Sequence, residues 1–195
     1  MIHIEDLSIS YDGREIFRDL SFSLEQGDRL ALMGGNGSGK SSILKLICNE
    51  TRDGSLSHAQ PIPYTGNVRI GSGLVISYVP QDTSFLSGDL KDFAEKQQID
   101  ESLFKAILRK LDFARIQFEK EIQDYSAGQK KKVLIAASLC QQAHLYIWDE
   151  PLNYIDVLSR MQIEDLITSF KPTMLFVEHD RAFCDNVATK TVLLA

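Results

Sequence analysis

The stretch Gly34-Gly35-Asn36-Gly37-Ser38-Gly39-Lys40-Ser41 constrains this chain more than any other. It follows the short apolar run Leu30-Ala31-Leu32-Met33 and precedes Ile43, Leu44 and Ile47 at helical spacing. Such a run suits a strand buried on both faces of a parallel sheet. The spacing after it suits an amphipathic helix, read from Lys40 to about Cys48. A glycine loop between strand and helix, closing on Gly-Lys-Ser, fits the phosphate-loop pattern G-x-x-x-x-G-K-[ST]. Glycines let the backbone wrap phosphate oxygens with N–H groups turned inward. The helix start adds the positive end of its dipole. Gly34, Gly35, Asn36, Gly37, Ser38, Gly39, Lys40, Ser41 and Ser42 are therefore candidate nucleotide-binding residues. Lys40 is placed to reach the β and γ phosphates, and the Ser41 hydroxyl to bind Mg²⁺.

A second apolar run, Leu145-Tyr146-Ile147-Trp148, ends on Asp149-Glu150. Carboxylates at the C-terminal end of such a strand sit where ligands bind in α/β sheets. In that position Asp149 holds Mg²⁺ through water, and Glu150 orients or deprotonates the attacking water. Met174 to Val177 reads as a third buried strand, with a helix before it carrying Leu158, Met161, Ile163, Leu166 and Ile167 mostly on one side. Strands alternating with helices imply βαβ units and a parallel sheet.

The ends and middle of the chain read differently. Ile2 to Ser10 and Phe17 to Leu24 alternate as half-buried strands, forming an antiparallel sheet at the N-terminus. Thr51 to Gly66 reads as loop, and Asn67 to Val79 as a hairpin turned at Gly71-Ser72-Gly73. From Asp82 to Asp124 the character is helical, with Leu103, Phe104, Ile107, Leu108 and Leu111 as a core stripe. Another helix begins after Ser126 and runs to about Gln142.

Composition excludes several classes. With 195 residues and a net charge of −6, the chain is one compact domain without the basic footprint of a nucleic-acid binder. A membrane span needs about 20 apolar residues; the longest run here, Val133 to Cys140, is broken by Ser138. No basic segment with an apolar core opens the chain, so no signal peptide is expected. Cys48, Cys140 and Cys184 lack close spacing and read as free thiols of a cytoplasmic protein. His3, His58 and His144 have no companions at ligand spacing and read as surface or structural.

Tyr125-Ser126-Ala127-Gly128-Gln129 opens a helix and resembles the Leu-Ser-Gly-Gly-Gln signature of the ATP-binding cassette (ABC) superfamily. Other elements of that family stand in order along nearly the whole chain. Tyr11 matches the aromatic residue that stacks on adenine. Gln81 matches the Q-loop, Pro151 to Asp156 the D-loop, and His179 the switch histidine. The resemblance implies an α/β P-loop NTPase (RecA-like) fold: a mixed, mainly parallel sheet core, an N-terminal antiparallel β-subdomain and a small α-helical subdomain. It implies one nucleotide-binding domain over 1–195, with residues 1–81 and 127–195 as the β-subdomain and catalytic core and 82–126 as the helical part.

It also implies an Mg²⁺-dependent ATPase working as a head-to-tail sandwich of two cassettes. Glu150, His179 and Gln81 would be catalytic, and Ser41, Gln81 and Asp149 would serve the metal. Ser126, Ala127, Gly128 and Gln129 would meet the ATP held by the partner cassette, in tandem or as a homodimer. Ala127 replaces the usual Gly, and its methyl could limit close backbone approach or exclude positive φ.

Val68-Arg69-Ile70-Gly71 and Asp149-Glu150-Pro151-Leu152-Asn153-Tyr154-Ile155-Asp156 resemble the ABC-F group, soluble tandem proteins that act on ribosomes. Gly128-Gln129-Lys130-Lys131-Lys132-Val133 with Tyr146-Ile147-Trp148 looks most like the C-terminal cassette of the members protecting against lincosamide, streptogramin A and pleuromutilin antibiotics. Ribosome or rRNA contact follows from that resemblance; separate permease chains would be the partners of a transporter ATPase subunit. Lys130, Lys131 and Lys132 at a helix start oppose the helix dipole. Two explanations stand: they spread around a solvated helix, or they face phosphates of ATP or rRNA.

Overall fold

The structure is a computed structural model and describes residues 1–11, 13–51 and 61–194. A three-stranded antiparallel sheet takes the order β2-β1-β4, with β1 at Ile2–Tyr11, β2 at Arg14–Leu24 and β4 at Tyr64–Ile70. The alternation in β1 breaks between Ile4 and Leu7, where Asp6 adopts φ 52° and the register to both neighbours shifts. That bulge returns Leu7 and Ile9 to the face already holding Ile2 and Ile4, and all four are buried.

The second sheet is parallel throughout, in the order β5-β6-β7-β3-β8. Its strands are β3 (Arg29–Gly34), β5 (Ile76–Val79), β6 (Leu145–Asp149), β7 (Met174–Val177) and β8 (Lys190–Leu194). Each central strand feeds two cores. Leu30, Leu32, Ile147, Leu175 and Val177 join the core shared with the antiparallel sheet and with Ile43, Leu44 and Ile47 of α1 (Lys40–Glu50). Ala31, Trp148, Met174 and Phe176 join the other core, with α4 (Ala127–Cys140) and α5 (Val157–Phe170). Helix α1 thus lies between the two sheets, and its first turn is fixed at the C-terminal end of β3.

The remaining helices are α2 (Leu90–Lys96), α3 (Glu101–Lys110) and α6 (Arg181–Val187). Asp89, Asp100 and Asp180 cap them, each accepting a backbone N–H from the first turn. Short 3₁₀ turns at Arg115–Glu119 and Ile122–Asp124 lead into α4. No helix among the described residues is long and apolar enough to cross a membrane.

Several expectations need correction. Asn67 to Val79 is not a hairpin: β4 pairs with β1, β5 pairs with β6, and Gly71-Ser72-Gly73 carries the chain from one sheet to the other. Strand β4 also begins at Tyr64, inside the stretch read as loop, while residues 52–60 and His58 lie outside the described residues. The helical stretch after Asp82 starts only at Leu90. Leu103 on α3, and Leu158 and Met161 on α5, face outward; Phe104, Leu108, Ile163, Leu166 and Ile167 supply the buried faces. Cys48, Cys140 and Cys184 are free thiols, as expected.

Candidate nucleotide site

At the end of β3 the chain turns through the glycine loop into α1. Gly34 sits at φ 150°, and a Cβ there would stand 2.7 Å from the carbonyl oxygen of Leu194 and 2.8 Å from Ser38 Oγ. The loop is closed across itself by Lys40, whose ammonium donates to the carbonyls of Gly34 (2.9 Å) and Gly35 (2.7 Å). Gly39 precedes α1 and offers no side-chain cap, so the first N–H groups of the helix are left for another acceptor. Ser38 Oγ is buried without a partner.

Strand β6 delivers the two carboxylates. Asp149 is 2% exposed, and its Oδ1 has no hydrogen-bond partner. Burial pushes its carboxyl above the ordinary value, Glu150 pushes the same way, and a hydrogen bond from Ser41 pulls back. A hydroxyl beside a buried carboxylate with a spare oxygen is a hard donor set that fits Mg²⁺. Glu150 adopts φ 49°, with its N–H donated to Val177 O at 3.0 Å. This uncommon backbone turns its side chain into the cleft. There Glu150 Oε2 accepts from Gln81 Nε2 (2.8 Å) and Asn153 Nδ2 (2.6 Å), and Oε1 lies 3.4 Å from His179 Nε2.

His179 is oriented in turn by Glu178, a buried residue whose carboxylate accepts the N–H of His179 (2.9 Å) and of Leu152 (3.1 Å). The resulting cleft has a volume of about 520 Å³ and brings together the loop, Ser41, Ser42, Gln81, Glu150 and His179. Tyr11 stands at the rim, 37% exposed, with its hydroxyl 3.4 Å from Ser42 Oγ.

Ser126, Ala127, Gly128 and Gln129 do not line this cleft. Ser126 caps α4: its Oγ accepts from Gln129 N (3.2 Å), and Gln129 Oε1 accepts from Ser126 N (3.0 Å). Ala127 is exposed and its φ is not positive, so the methyl carries no backbone penalty. Gly128 is the position that must stay small, because a Cβ would meet Tyr154 O at 2.3 Å. Tyr125 is buried and donates its hydroxyl to Gln117 O at 2.6 Å.

Neither reading of the lysine run holds for two of its members. Lys131 and Lys132 are buried, against Pro80 and Gln81 and against Asp156 respectively. Two contributors escaped the sequence reading as individual side chains: Asn153 on Glu150, and Glu178 behind His179. A polar residue three positions after Glu150, in a turn, was the available signal for the first; nothing local marks the second.

A parallel sheet with its glycine loop and acid pair at the strand ends defines a nucleotide-binding domain of the P-loop type. The profile of the family described as "ABC transporter" matches residues 17–153. The chain belongs to that family, as its ATP-binding domain. It is 30% identical over 99% of its length to "ATP-binding protein Uup-like" of Haemophilus influenzae, covering 42% of that protein. It is 25% identical over its full length to "Ribosome protection protein VmlR" of Bacillus subtilis, covering 34% of it. It therefore spans less than half the length of these relatives. A solved structure titled "Structure of ATP binding subunit of ABC transporter" superposes with a TM-score of 0.75 at 21% identity, covering 100% of this chain and 85% of that one; at that identity it speaks for the fold.

Proposed function

We propose that this chain binds and hydrolyses Mg²⁺-ATP as one of two paired cassettes of a cytoplasmic, ribosome-associated protein of the ABC-F type, with residues 82–126 as its helical subdomain. The observation that carries the hydrolytic part is the placement of Glu150. Its carboxylate faces the phosphate loop, held by Gln81, Asn153 and His179 rather than by a lysine or arginine. It can therefore accept the proton of an attacking water. Lys40 and the open N–H groups of α1 bind and orient the β and γ phosphates, and Tyr11 stacks on the base. Ser41, Asp149 and Gln81 would hold Mg²⁺, which would supply positive charge to the phosphate oxygens. His179 bonds the γ-phosphate side of the site and keeps Glu150 turned inward.

The second cassette is supported by what the cleft lacks. Ser126 to Gln129 lie outside it, at a helix start that suits a phosphate held by another cassette. Tyr154 (82% exposed), Val157, Leu158 and Met161 form an apolar surface on the same side, of a kind that marks interaction sites. The likeness to a Uup-like ATP-binding protein and to a ribosome protection protein supports the ribosomal role, with protection from antibiotics as its sharpest form.

A transporter role has its own supporting observation, a groove of about 430 Å³ beside Gln81, lined by Pro80, Asp82, Phe93 and the exposed Phe85. Sedimentation of the whole protein carrying Glu150→Gln, with ATP, separates the two. Comigration with ribosomes is expected. Comigration with a membrane permease, with none on ribosomes, would replace the first reading by the second.

A further inference from the structure

Lys131 is 2% exposed in the second turn of α4, an unusual place for an ammonium. It makes no ion pair among the described residues; instead its Nζ donates to the main-chain carbonyls of Pro80 (2.9 Å) and Gln81 (3.1 Å). These two carbonyls flank the residue whose side-chain amide donates to Glu150 at 2.8 Å. Burial disfavours the charged lysine, while Asp149, Glu150, Glu178 and Asp82 around it favour the charge. The next residue, Lys132, runs instead to Asp156, at 2.7 Å. Adjacent lysines of one helix thus brace two segments, one at Gln81, which lines the cleft, and one at Asp156, the cap of α5.

We propose that Lys131 is a positioning residue that fixes the main chain at Pro80–Gln81 and thereby keeps the Gln81 amide on Glu150. The proposal rests on the reading of Glu150 as the base and Gln81 as its partner. It gives the long buried side chain a job that packing alone does not require, since an apolar residue would fill the same space without desolvating a charge. It also ties Gln81 to the helix that begins at Ser126.

The test compares Lys131→Met and Lys131→Arg in the whole chain by two readouts. The first is Mg²⁺-ATP hydrolysis; the second is the side-chain amide resonance of Gln81, assigned by its loss in Gln81→Ala. Lys131→Met is expected to leave KM within about threefold while kcat falls roughly 10- to 100-fold, the scale of a misplaced catalytic group. The Gln81 resonance shifts with it, and Lys131→Arg returns both towards the parent values. Lys131→Met combined with Gln81→Ala is no slower than Gln81→Ala alone. An unmoved Gln81 resonance in Lys131→Met, or losses that multiply in the double variant, would overturn the proposal. Should Lys131→Met fail to fold, Lys131→Gln carries the same two readouts. A parent protein that hydrolyses no ATP, yet whose Gln81 resonance moves in Lys131→Met, would sink the hydrolytic reading and support the tether.

Discussion

Helix α1 begins on Gly39, which has no side chain to satisfy the first N–H groups, beside a buried Ser38 hydroxyl without a partner. Helix α4 begins on Ser126, whose hydroxyl and backbone exchange hydrogen bonds with Gln129 in a closed box. The proposed function gives both starts a phosphate to meet, but they are finished differently. The first leaves its opening N–H groups uncapped by any side chain. The second is closed by its own capping box and stands as a preformed, exposed corner. The difference fits the proposed division, in which one start serves the nucleotide of its own chain and the other that of a second cassette.

The largest effect should come from the open end of the comparison. Glu150→Gln keeps the shape and the Gln81 contact but removes the base; kcat should fall about 100- to 10,000-fold with ATP affinity kept. Hydrolysis at the parent rate would mean that the carboxylate at the strand end is not the base. Lys40→Ala removes the charge proposed to meet the phosphates as well as the brace across the loop. ATP affinity by calorimetry should drop roughly 10- to 100-fold, from loss of charge-assisted bonds. Equal affinity would show that the open helix start alone holds the nucleotide.

The closed end should show itself in stability. Gly128→Ala forces a methyl against the carbonyl of Tyr154, a backbone atom that cannot step aside. It should cost about 2 kcal/mol and lower Tm by roughly 4–8 °C. ATP binding at the cleft should change little, because Gly128 does not line it.

The smallest effect is expected at Asp156, which caps α5 and accepts from Lys132. Although burial acts the other way, hydrogen bonds from Lys132 and Ser159 hold its carboxyl below the ordinary value. A lowered folded pKa gives stability that is present above the unfolded value and is lost as pH falls below it. Asp156→Ala should cost about 1 kcal/mol near neutral pH, and the Tm difference from the parent should narrow below about pH 4. A difference that stays constant through that range would remove the charge from the account.

Much of this was legible locally. The strands of the parallel sheet announce themselves as unbroken apolar runs because both faces are buried, and the glycine loop is readable because its residue types serve its backbone. The error at Asn67 to Val79 has a physical cause. A turn signal such as Gly71-Ser72-Gly73 reports only that the chain bends, while strand partners are fixed by β1 and β6, far away in sequence. Leu158 and Met161 have the spacing of a core face and lie on the surface. Periodicity tells apolar from polar but not which apolar residues the fold buries. Lys131 and Lys132 were hardest to read, since their partners are loop carbonyls and a helix cap that only the folded chain brings near.

Strand β3, which carries the glycine loop, lies between β7 and β8. Arg29 pairs with Met174, Leu30 with Lys190, and Gly34 packs against Leu194. During synthesis from the N-terminus, the strand that holds the phosphate loop has no neighbour in its own sheet until the far end of this domain has emerged. Such late, non-local pairing is slow and leaves apolar surface exposed meanwhile. The glycine loop thus gains its sheet neighbours only once residues 174–194 are in place.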